Sequence, residues 1–218
     1  MKDRKTVILE AAARVIACRG VRGLRVEEVA AEARVSKALV YYHFKDRAGL
    51  LRRTLRFVGD RAERYTRGGG PGDAAPRGPG PGDLAPGARV PGDPLRELER
   101  RLLLEFQDLP EVRENSTAWG ELRASAVFEP ELREELARAG REWVREIADL
   151  LGPVGPAVPD AALVSAAERL TVLVEGLSTR WLVGLLPAGH AAELLRGAVA
   201  AEAEGLRRAA VRTACPAA

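Results

Sequence analysis

The sequence has few of the residues that build disulfide frameworks or metal sites. Among its 218 residues, only Cys18 and Cys215 are cysteines, and only His43 and His190 are histidines. Two cysteines can form at most one disulfide bond, so disulfides do not hold this fold together. The histidines lie far apart with no cysteine at ligand spacing, which argues against a zinc site. We therefore expect no metal and no other cofactor.

Long apolar runs are missing as well. The run at residues 181–188, for example, has eight residues, whereas a transmembrane helix needs about 20. Near the basic start of the chain, Glu10 and Arg14 interrupt any apolar stretch, so we expect no signal peptide. The expected location is the cytoplasm, with no membrane partner.

Positive charge is concentrated in the first third of the chain. Residues 1–67 carry 17 Lys and Arg against 8 Asp and Glu, a net charge of +9, whereas residues 68–218 carry 17 against 23, a net charge of −6. A basic segment joined to an acidic body indicates a module that binds a polyanion. An uneven spread of arginine without functional meaning is the alternative.

A segment rich in glycine and proline divides the chain. Residues 68–94 contain 9 Gly and 7 Pro among 27 positions, a composition that forms neither a helix nor a packed core. We expect a flexible loop over 68–93, although a partner-binding proline motif is a second interpretation.

The rest of the sequence has the apolar spacing of amphipathic helices, and no segment alternates with a period of two for long enough to form a strand. The predicted fold class is all-α, with about nine helices. We expect these helices at 3–19, 26–33, 36–43, 46–66, from Pro94 onwards, and at 111–127, 130–151, 160–186 and 188–212.

The second and third predicted helices are short and separated by a tight turn, which is the pattern of a helix-turn-helix unit. Ser36 is a good N-cap for the third helix. Lys37 follows at its first position, where a cation opposes the helix dipole. This locally unfavourable choice indicates that an anion lies nearby.

Residues 41–47 place hydroxyl, imidazole and cationic groups where the third helix ends and the fourth begins. Asp46 can cap the fourth helix, whose free N–H groups would offer a phosphate site beside Lys45 and Arg47. Tyr42 and His43 are expected on a DNA-facing surface and Phe44 in the core, while Tyr41 is left open between the two.

A family resemblance is carried by residues 24–47, which read LRVEEVAAEARVSKALVYYHFKDR. This run closely resembles the N-terminal domain of TetR-family transcriptional regulators, and the resemblance extends over residues 4–66. Further along, VEGL at 174–177 is similar to members related to the betaine regulator BetI. The resemblance implies a homodimeric repressor that binds a palindromic operator in double-stranded DNA and is released by a small-molecule effector.

The resemblance also implies roles for individual residues. Lys37, Ala38 and Leu39 match positions that face base edges or the nearby backbone. Tyr41 and His43 match base or phosphate contacts, and Tyr42 and Arg47 match phosphate contacts. The predicted DNA-binding set is Arg25, Ser36, Lys37, Ala38, Leu39, Tyr41, Tyr42, His43, Lys45 and Arg47.

Two positions depart from the family pattern. Arg25 stands where the family usually has a threonine that caps the second helix, and Arg25 could instead reach a phosphate itself. Arg34 stands where the family usually has a glycine in the turn. A left-handed conformation at Arg34 would cost about 1 kcal/mol, unless the turn is built differently.

The last two predicted helices, 160–186 and 188–212, carry broad apolar faces with many small residues. Such helices pack closely, so we expect them to form a homodimer through a four-helix interface. Packing within one chain is the alternative.

Between this predicted interface and the DNA-binding head, aromatic and large apolar residues are candidates to line a ligand cavity, although each could equally belong to the core. Glu121, Arg123 and Glu175 could orient a polar ligand or lie on the surface. The predicted ligand-binding set is Phe106, Trp119, Leu122, Phe128, Trp143 and Trp181.

Residues 1–46 are thus predicted to be a helix-turn-helix DNA-binding domain and 47–67 a connecting helix that acts as a lever. After the 68–93 loop, 94–214 would form the effector-binding and dimerisation domain. No P-loop, dinucleotide-binding glycine fingerprint, nucleophile elbow or HExxH motif occurs, so we expect no enzyme. The alternatives are a nonspecific DNA-coating protein and a helical enzyme or carrier for a small apolar ligand.

Overall fold

The structure is a computed structural model that describes residues 3–66, 93–155 and 158–214. Within these ranges the chain is helical and contains no strand, which confirms the all-α prediction. The predicted flexible loop lies outside the described residues except for Asp93, and Cys215 lies outside them altogether. No helix in these ranges is long and apolar enough to cross a membrane.

Nine α-helices occur in the described ranges, at the places that the apolar spacing predicts. The expected helix 160–186 ends early, at Leu182, because Gly184 adopts a left-handed conformation with φ of 77°. The helices are α1 Arg4–Arg19, α2 Val26–Glu32, α3 Lys37–Phe44, α4 Arg47–Thr66, α5 Pro94–Leu103, α6 Pro110–Ser125, α7 Arg133–Leu151, α8 Asp160–Leu182 and α9 Ala188–Ala214.

The turn between α2 and α3 takes the left-handed form. Arg34 has φ of 53°, its N–H donates to the Ala31 carbonyl at 3.1 Å, and the Val35 N–H donates to the Ala30 carbonyl at 2.9 Å. These two bonds form a Schellman motif, in which glycine is the usual residue at the left-handed position. Arginine at this position costs about 1 kcal/mol.

The junction between α3 and α4 is equally tight. Lys45 has φ of 64° and ψ of −56°, and the Asp46 N–H donates to the Phe44 carbonyl at 2.7 Å, which is the geometry of a γ-turn. The Asp46 carboxylate accepts a hydrogen bond from the Gly49 N–H at 2.6 Å, so it caps α4 as predicted. A Cβ at Gly49 would overlap with the Phe44 carbonyl oxygen.

Two hydrophobic cores hold the protein together. The head core joins α1–α4, but it also takes in Ala118 and Leu122 from α6 and Leu132 from the turn before α7. The body core joins α5, α7, α8 and α9. Helix α6 therefore packs directly against the helices of the head.

Candidate DNA-binding surface and ligand cavity

The recognition helix α3 divides cleanly into a core face and an outer face. Val40 and Phe44 are buried in the head core, with 1% and 4% of their surface exposed, so Phe44 lies where predicted. On the outer face, Tyr42 is 81% exposed and Tyr41 40% exposed. Ala38 is also exposed, and Leu39 and His43 are partly so. A tyrosine with four-fifths of its surface in water contributes little to the fold.

The anion that Lys37 requires is present within the chain. Lys37 Nζ donates to the Glu27 carboxylate on α2 and lies 5.7 Å from the centre of the Tyr41 ring. The hydrogen bond to Glu27 raises the pKa of Lys37. The unfavourable cation at the start of α3 is therefore compensated by Glu27, and its presence is not by itself a sign of DNA.

The remaining polar residues of this surface form few hydrogen bonds or ion pairs within the protein. The Ser36 hydroxyl accepts from the Leu39 N–H at 3.2 Å, which confirms Ser36 as the N-cap of α3. Arg25 precedes α2 without a capping bond from its side chain, as expected where threonine is missing. Among the described residues, Arg25, Arg34 and Lys45 are exposed and form no ion pair.

Arg47 is bound to the protein itself. Its guanidinium donates to the Val21 carbonyl at 2.8 Å and to Glu129, between α6 and α7, at 3.1 Å. Glu121 on α6 accepts from the Val21 N–H at 3.4 Å. These bonds connect the loop after α1 to α4, to α6 and to the turn before α7, so Arg47 joins the head to the body.

A cavity of about 340 Å³ lies between α4, α6, α7, α8 and the 3-10 turn Leu104–Phe106 that follows α5. Two of the six predicted ligand-binding residues line it, Trp119 from α6 and Trp143 from α7, and both are only partly buried. Gly59 of α4 faces Trp119, and a Cβ there would lie 3.5 Å from the indole ring.

The other four predicted cavity residues are not part of its lining. Leu122 is fully buried in the head core, while Phe106 and Trp181 pack edge to face in the body core with ring centres 6.2 Å apart. Phe128 is 71% exposed and lies beneath the Arg22 guanidinium. The four placements have one reason: apolar helical positions look alike in sequence, and only the packing decides which of them faces a cavity.

The arginines that line the cavity are all held by carboxylates. Arg56 of α4 donates to Glu135 of α7 through two bonds of 2.8 and 2.9 Å. Arg138 donates to Glu135 and, at 2.7 Å, to Glu142. Hydrogen bonds from Arg56 and then Arg138 hold the pKa of Glu135 at about 2. This network connects α4 to α7 along the wall of the cavity.

The remaining arginine of the lining, Arg123, is paired with Glu175 of α8. Both were candidates to orient a polar ligand, and both lie in the lining. Their mutual ion pair connects α6 to α8 and leaves the guanidinium with less capacity to bind an anionic ligand.

Glu105 is the lining residue that sequence reasoning missed. It lies in the 3-10 turn, packed against α4, α6, α8 and α9. Burial raises the pKa of Glu105 to about 7. In the sequence, Glu105 interrupts the apolar run Leu102 to Phe106, and a single carboxylate in such a run is the signal that could have identified it.

The outer faces of α8 and α9 carry apolar and small residues in helical register. Val172 and Gly176 are exposed along α8, and Val183 is exposed directly after its end. Leu194 and Ala201 are exposed along α9. Other small residues of these helices, such as Ala166 and Ala191, are fully buried within the chain. The small residues therefore serve both internal packing and an apolar outer face.

Two family models match the chain. Residues 8–54 match the bacterial regulatory proteins of the tetR family. Residues 94–204 match the C-terminal region of BetI-type transcriptional repressors. Comparison with curated proteins finds no match.

Solved structures extend the similarity over nearly the whole chain. A protein from Rhodococcus sp., described as a TetR-family transcriptional regulator, is 42% identical over 92% of this chain and 98% of its own, with a TM-score of 0.74. A protein from Saccharomonospora viridis in complex with choline is 23% identical over 92% and 95%, with a TM-score of 0.66. The multidrug binding protein EbrR, complexed with imidazole, is 25% identical over 93% and 96%, with a TM-score of 0.61.

Proposed function

This chain belongs to the TetR family of bacterial transcriptional regulators, and we propose that it is a homodimeric repressor released from a palindromic operator by a small molecule. In this proposal residues 1–46 bind DNA, 47–67 form the lever, and 94–214 bind the effector and form the dimer. The single observation that carries the DNA-binding part is the outer face of α3, where an 81% exposed Tyr42 stands among exposed polar residues.

We propose that α3 enters the major groove with the predicted DNA-binding set around it. Lys37, Ala38 and Leu39 would be nearest to the bases, and Ala38 and Leu39 could make only apolar contacts, for instance with a thymine methyl group. Arg25, Ser36, Tyr41, Tyr42, His43 and Lys45 would contact bases or phosphates. Arg47 fits less well, because its guanidinium already has two partners within the protein.

The dimer would form through the outer faces of α8 and α9. Val172 on α8 is 68% exposed, Val183 directly after α8 is 64% exposed, and Leu194 on α9 is 45% exposed. Pairing with the same face of a second copy would remove these side chains from water and place two copies of α3 on one face of the DNA. The spacing of the two recognition helices would then depend on the angle between the protomers.

The effector would act through α4, which belongs to both halves of the protein. Leu50 and Leu51 of α4 lie in the head core, whereas Gly59 and Glu63 line the cavity. A ligand that prefers one arrangement of α4, α6 and α7 would shift the population toward it and change the separation of the recognition helices. Gly49, near the start of this lever, is required by the close approach of the Phe44 carbonyl.

Two structural neighbours that bind small molecules support the proposal that this chain binds an effector. One is complexed with choline and the other is a multidrug binding protein complexed with imidazole. Both bind small organic molecules. We propose that the cavity beside Trp119 and Trp143 has the same role here.

Selection of genomic DNA fragments by the purified protein at about 150 mM salt tests the proposal, because surface charges are well screened there. The expected result is recovery of one or a few palindromic sites, with the Tyr42→Ala variant recovering far less. Uniform recovery of all fragments with a steep salt dependence would instead indicate a nonspecific DNA-coating protein.

A further inference from the structure

We infer that the cavity binds a lipophilic organic monocation and that the Glu105 carboxylate receives its positive charge. This inference rests on the proposed function, since it names the chemical class of the effector. The geometry behind it is a carboxylate without a partner in a cavity that also presents two indole rings.

The size and aromatic lining of the cavity suit an apolar ligand with a cationic group. The cavity has a volume of about 340 Å³, which is within the range of small-molecule sites. Trp119 and Trp143 come from different helices and are only partly buried, although each lies on an apolar helical face. Indole faces attract ammonium groups more strongly than other aromatic rings do.

The charge of the lining disfavours an anionic ligand. Its cations are three arginines, Arg56, Arg123 and Arg138. Its acids outnumber them and come from α4, α7, α8 and the 3-10 turn: Asp60, Glu63, Glu105, Glu135, Glu142, Glu146 and Glu175. An anion would meet this excess of negative charge in an enclosed space, where electrostatic interactions are stronger than in water.

Most of these acids already have partners. Glu135 and Glu142 are held by Arg56 and Arg138, and Glu175 is held by Arg123. Glu146 is paired with Arg101 of α5. On α4, Asp60 interacts with Arg56 electrostatically, and Glu63 also has an interaction within the protein. Helix α9 adds no charged residue to the lining.

Glu105 is different from these acids. In the part of the chain that the structure describes, its carboxylate has neither an ion-pair partner nor a hydrogen bond, although five helices pack around its turn. Glu105 is partly buried, and leaving a partly buried ionised group without a partner is unfavourable. A cation seated between Glu105 and the indole rings would supply that partner.

The ionisation of Glu105 gives the binding a pH signature. Because burial raises the pKa of Glu105 to about 7, the carboxylate is largely protonated at pH 6 and largely ionised at pH 8. A cation binds the ionised form, so its affinity rises with pH through 7 and then levels off. Between pH 6 and pH 8 the ionised fraction changes about tenfold.

Binding of phenyltrimethylammonium and its neutral carbon analogue tert-butylbenzene to the full chain tests the inference by calorimetry. We expect the cation to bind at least about tenfold more tightly at pH 8, and to weaken about tenfold at pH 6. Glu105→Gln should remove both the preference and the pH dependence. Glu134→Gln, which removes an exposed carboxylate of α7 outside the cavity, should retain both.

The inference is overturned if the two probes bind equally, if the neutral probe binds more tightly, or if neither binds. It is also overturned if Glu105→Gln keeps the preference for the cation. Thermal unfolding of Glu105→Gln shows whether that variant folds. The same wild-type protein, without any probe, is also used to select genomic DNA fragments, which tests the proposed function separately. If palindromic sites are recovered while the probes fail, the choice of ligand class is wrong and the proposed function stands; if no sites are recovered, the proposed function fails independently.

Discussion

On the outer surface of the head, the cations Arg25, Arg34 and Lys45 form no ion pair among the described residues, whereas the arginines that line the cavity are each held by a carboxylate. In the cavity the group left without a partner is an acid, Glu105. The two regions thus have opposite unmatched charges. The head surface is suited to a polyanion, and the cavity is suited to a cation.

The two kinds of unmatched charge differ in the free energy that it costs to leave them without a partner. An exposed arginine or lysine is solvated by water, so leaving it unpaired costs almost nothing. The Glu105 carboxylate is partly buried, so it is less well solvated than an exposed side chain, and its ionised form destabilises the protein unless a partner arrives. The stronger evidence on the head is therefore Tyr42, an apolar ring kept 81% exposed.

The largest expected effect concerns Glu105 and stability. The folded protein holds this proton more tightly than the unfolded chain, with a pKa of about 7 against the ordinary 4.5. The protonated Glu105 therefore stabilises the fold at low pH. As the pH rises from about 4.5 to 7, the free energy of unfolding falls by on the order of 3 kcal/mol. Glu105→Gln should remove this loss.

Urea unfolding at pH 5 and pH 8 measures this pH-dependent loss of unfolding free energy. Glu134→Gln is the control for the removal of one exposed carboxylate. If wild type and Glu105→Gln show the same pH dependence of the unfolding free energy, Glu105 is not an enclosed, unpartnered acid.

The next effect tests the head surface. Tyr42→Ala should weaken operator binding about 10–100-fold, because the ring lies on the face of α3 that would contact DNA. The melting temperature should change little, since the side chain is 81% exposed. Fluorescence anisotropy with a labelled operator measures the first effect and calorimetry the second. A variant that binds DNA normally would remove Tyr42 from the contact surface.

A smaller effect is expected for the exposed cation at the junction of α3 and α4. Lys45→Ala should weaken binding to operator and non-operator DNA alike, by up to about tenfold, and reduce the slope of log affinity against log salt by about one. Arg96→Ala removes an exposed cation on α5 and should leave the slope unchanged. Equal slopes for Lys45→Ala and wild type would show that Lys45 does not neutralise a phosphate.

The smallest effect concerns the turn of the helix-turn-helix unit. Arg34→Gly should increase the free energy of unfolding by about 1 kcal/mol, because glycine adopts the observed φ of 53° without steric cost. Arg34→Ala removes the guanidinium but keeps the Cβ, so it should not give this gain. Chemical denaturation of both variants distinguishes the backbone effect from the loss of charge, and a gain in Arg34→Ala as large as in Arg34→Gly would contradict it.

Much of the head was predictable because its rules are local. Ser36 and Asp46 cap helices that begin right after them, and the left-handed conformation at Arg34 follows from the turn between two short helices. The compensation of Lys37 by Glu27 could not be predicted in the same way, because it depends on how α2 and α3 cross.

The cavity could be predicted only in part, because its lining is decided by tertiary packing. Trp119 and Trp143 face the cavity whereas Trp181 is buried in the body core, although all three occupy similar helical positions. Glu105 was detectable only as a carboxylate within an apolar run. Its lack of a partner also depends on α4, α8 and α9, which pack around the turn from distant parts of the sequence.

The central claim is that the cavity and the operator surface are coupled. The most direct measurement is the operator Kd at pH 8 with and without phenyltrimethylammonium, for wild type and Glu105→Gln, once calorimetry has set the concentration that fills the cavity. We expect the cation to raise the operator Kd of wild type at least about fivefold, in the range typical of allosteric coupling. We expect it to leave the operator Kd of Glu105→Gln unchanged. An unchanged operator Kd in wild type with the cavity filled by the cation would contradict the central claim.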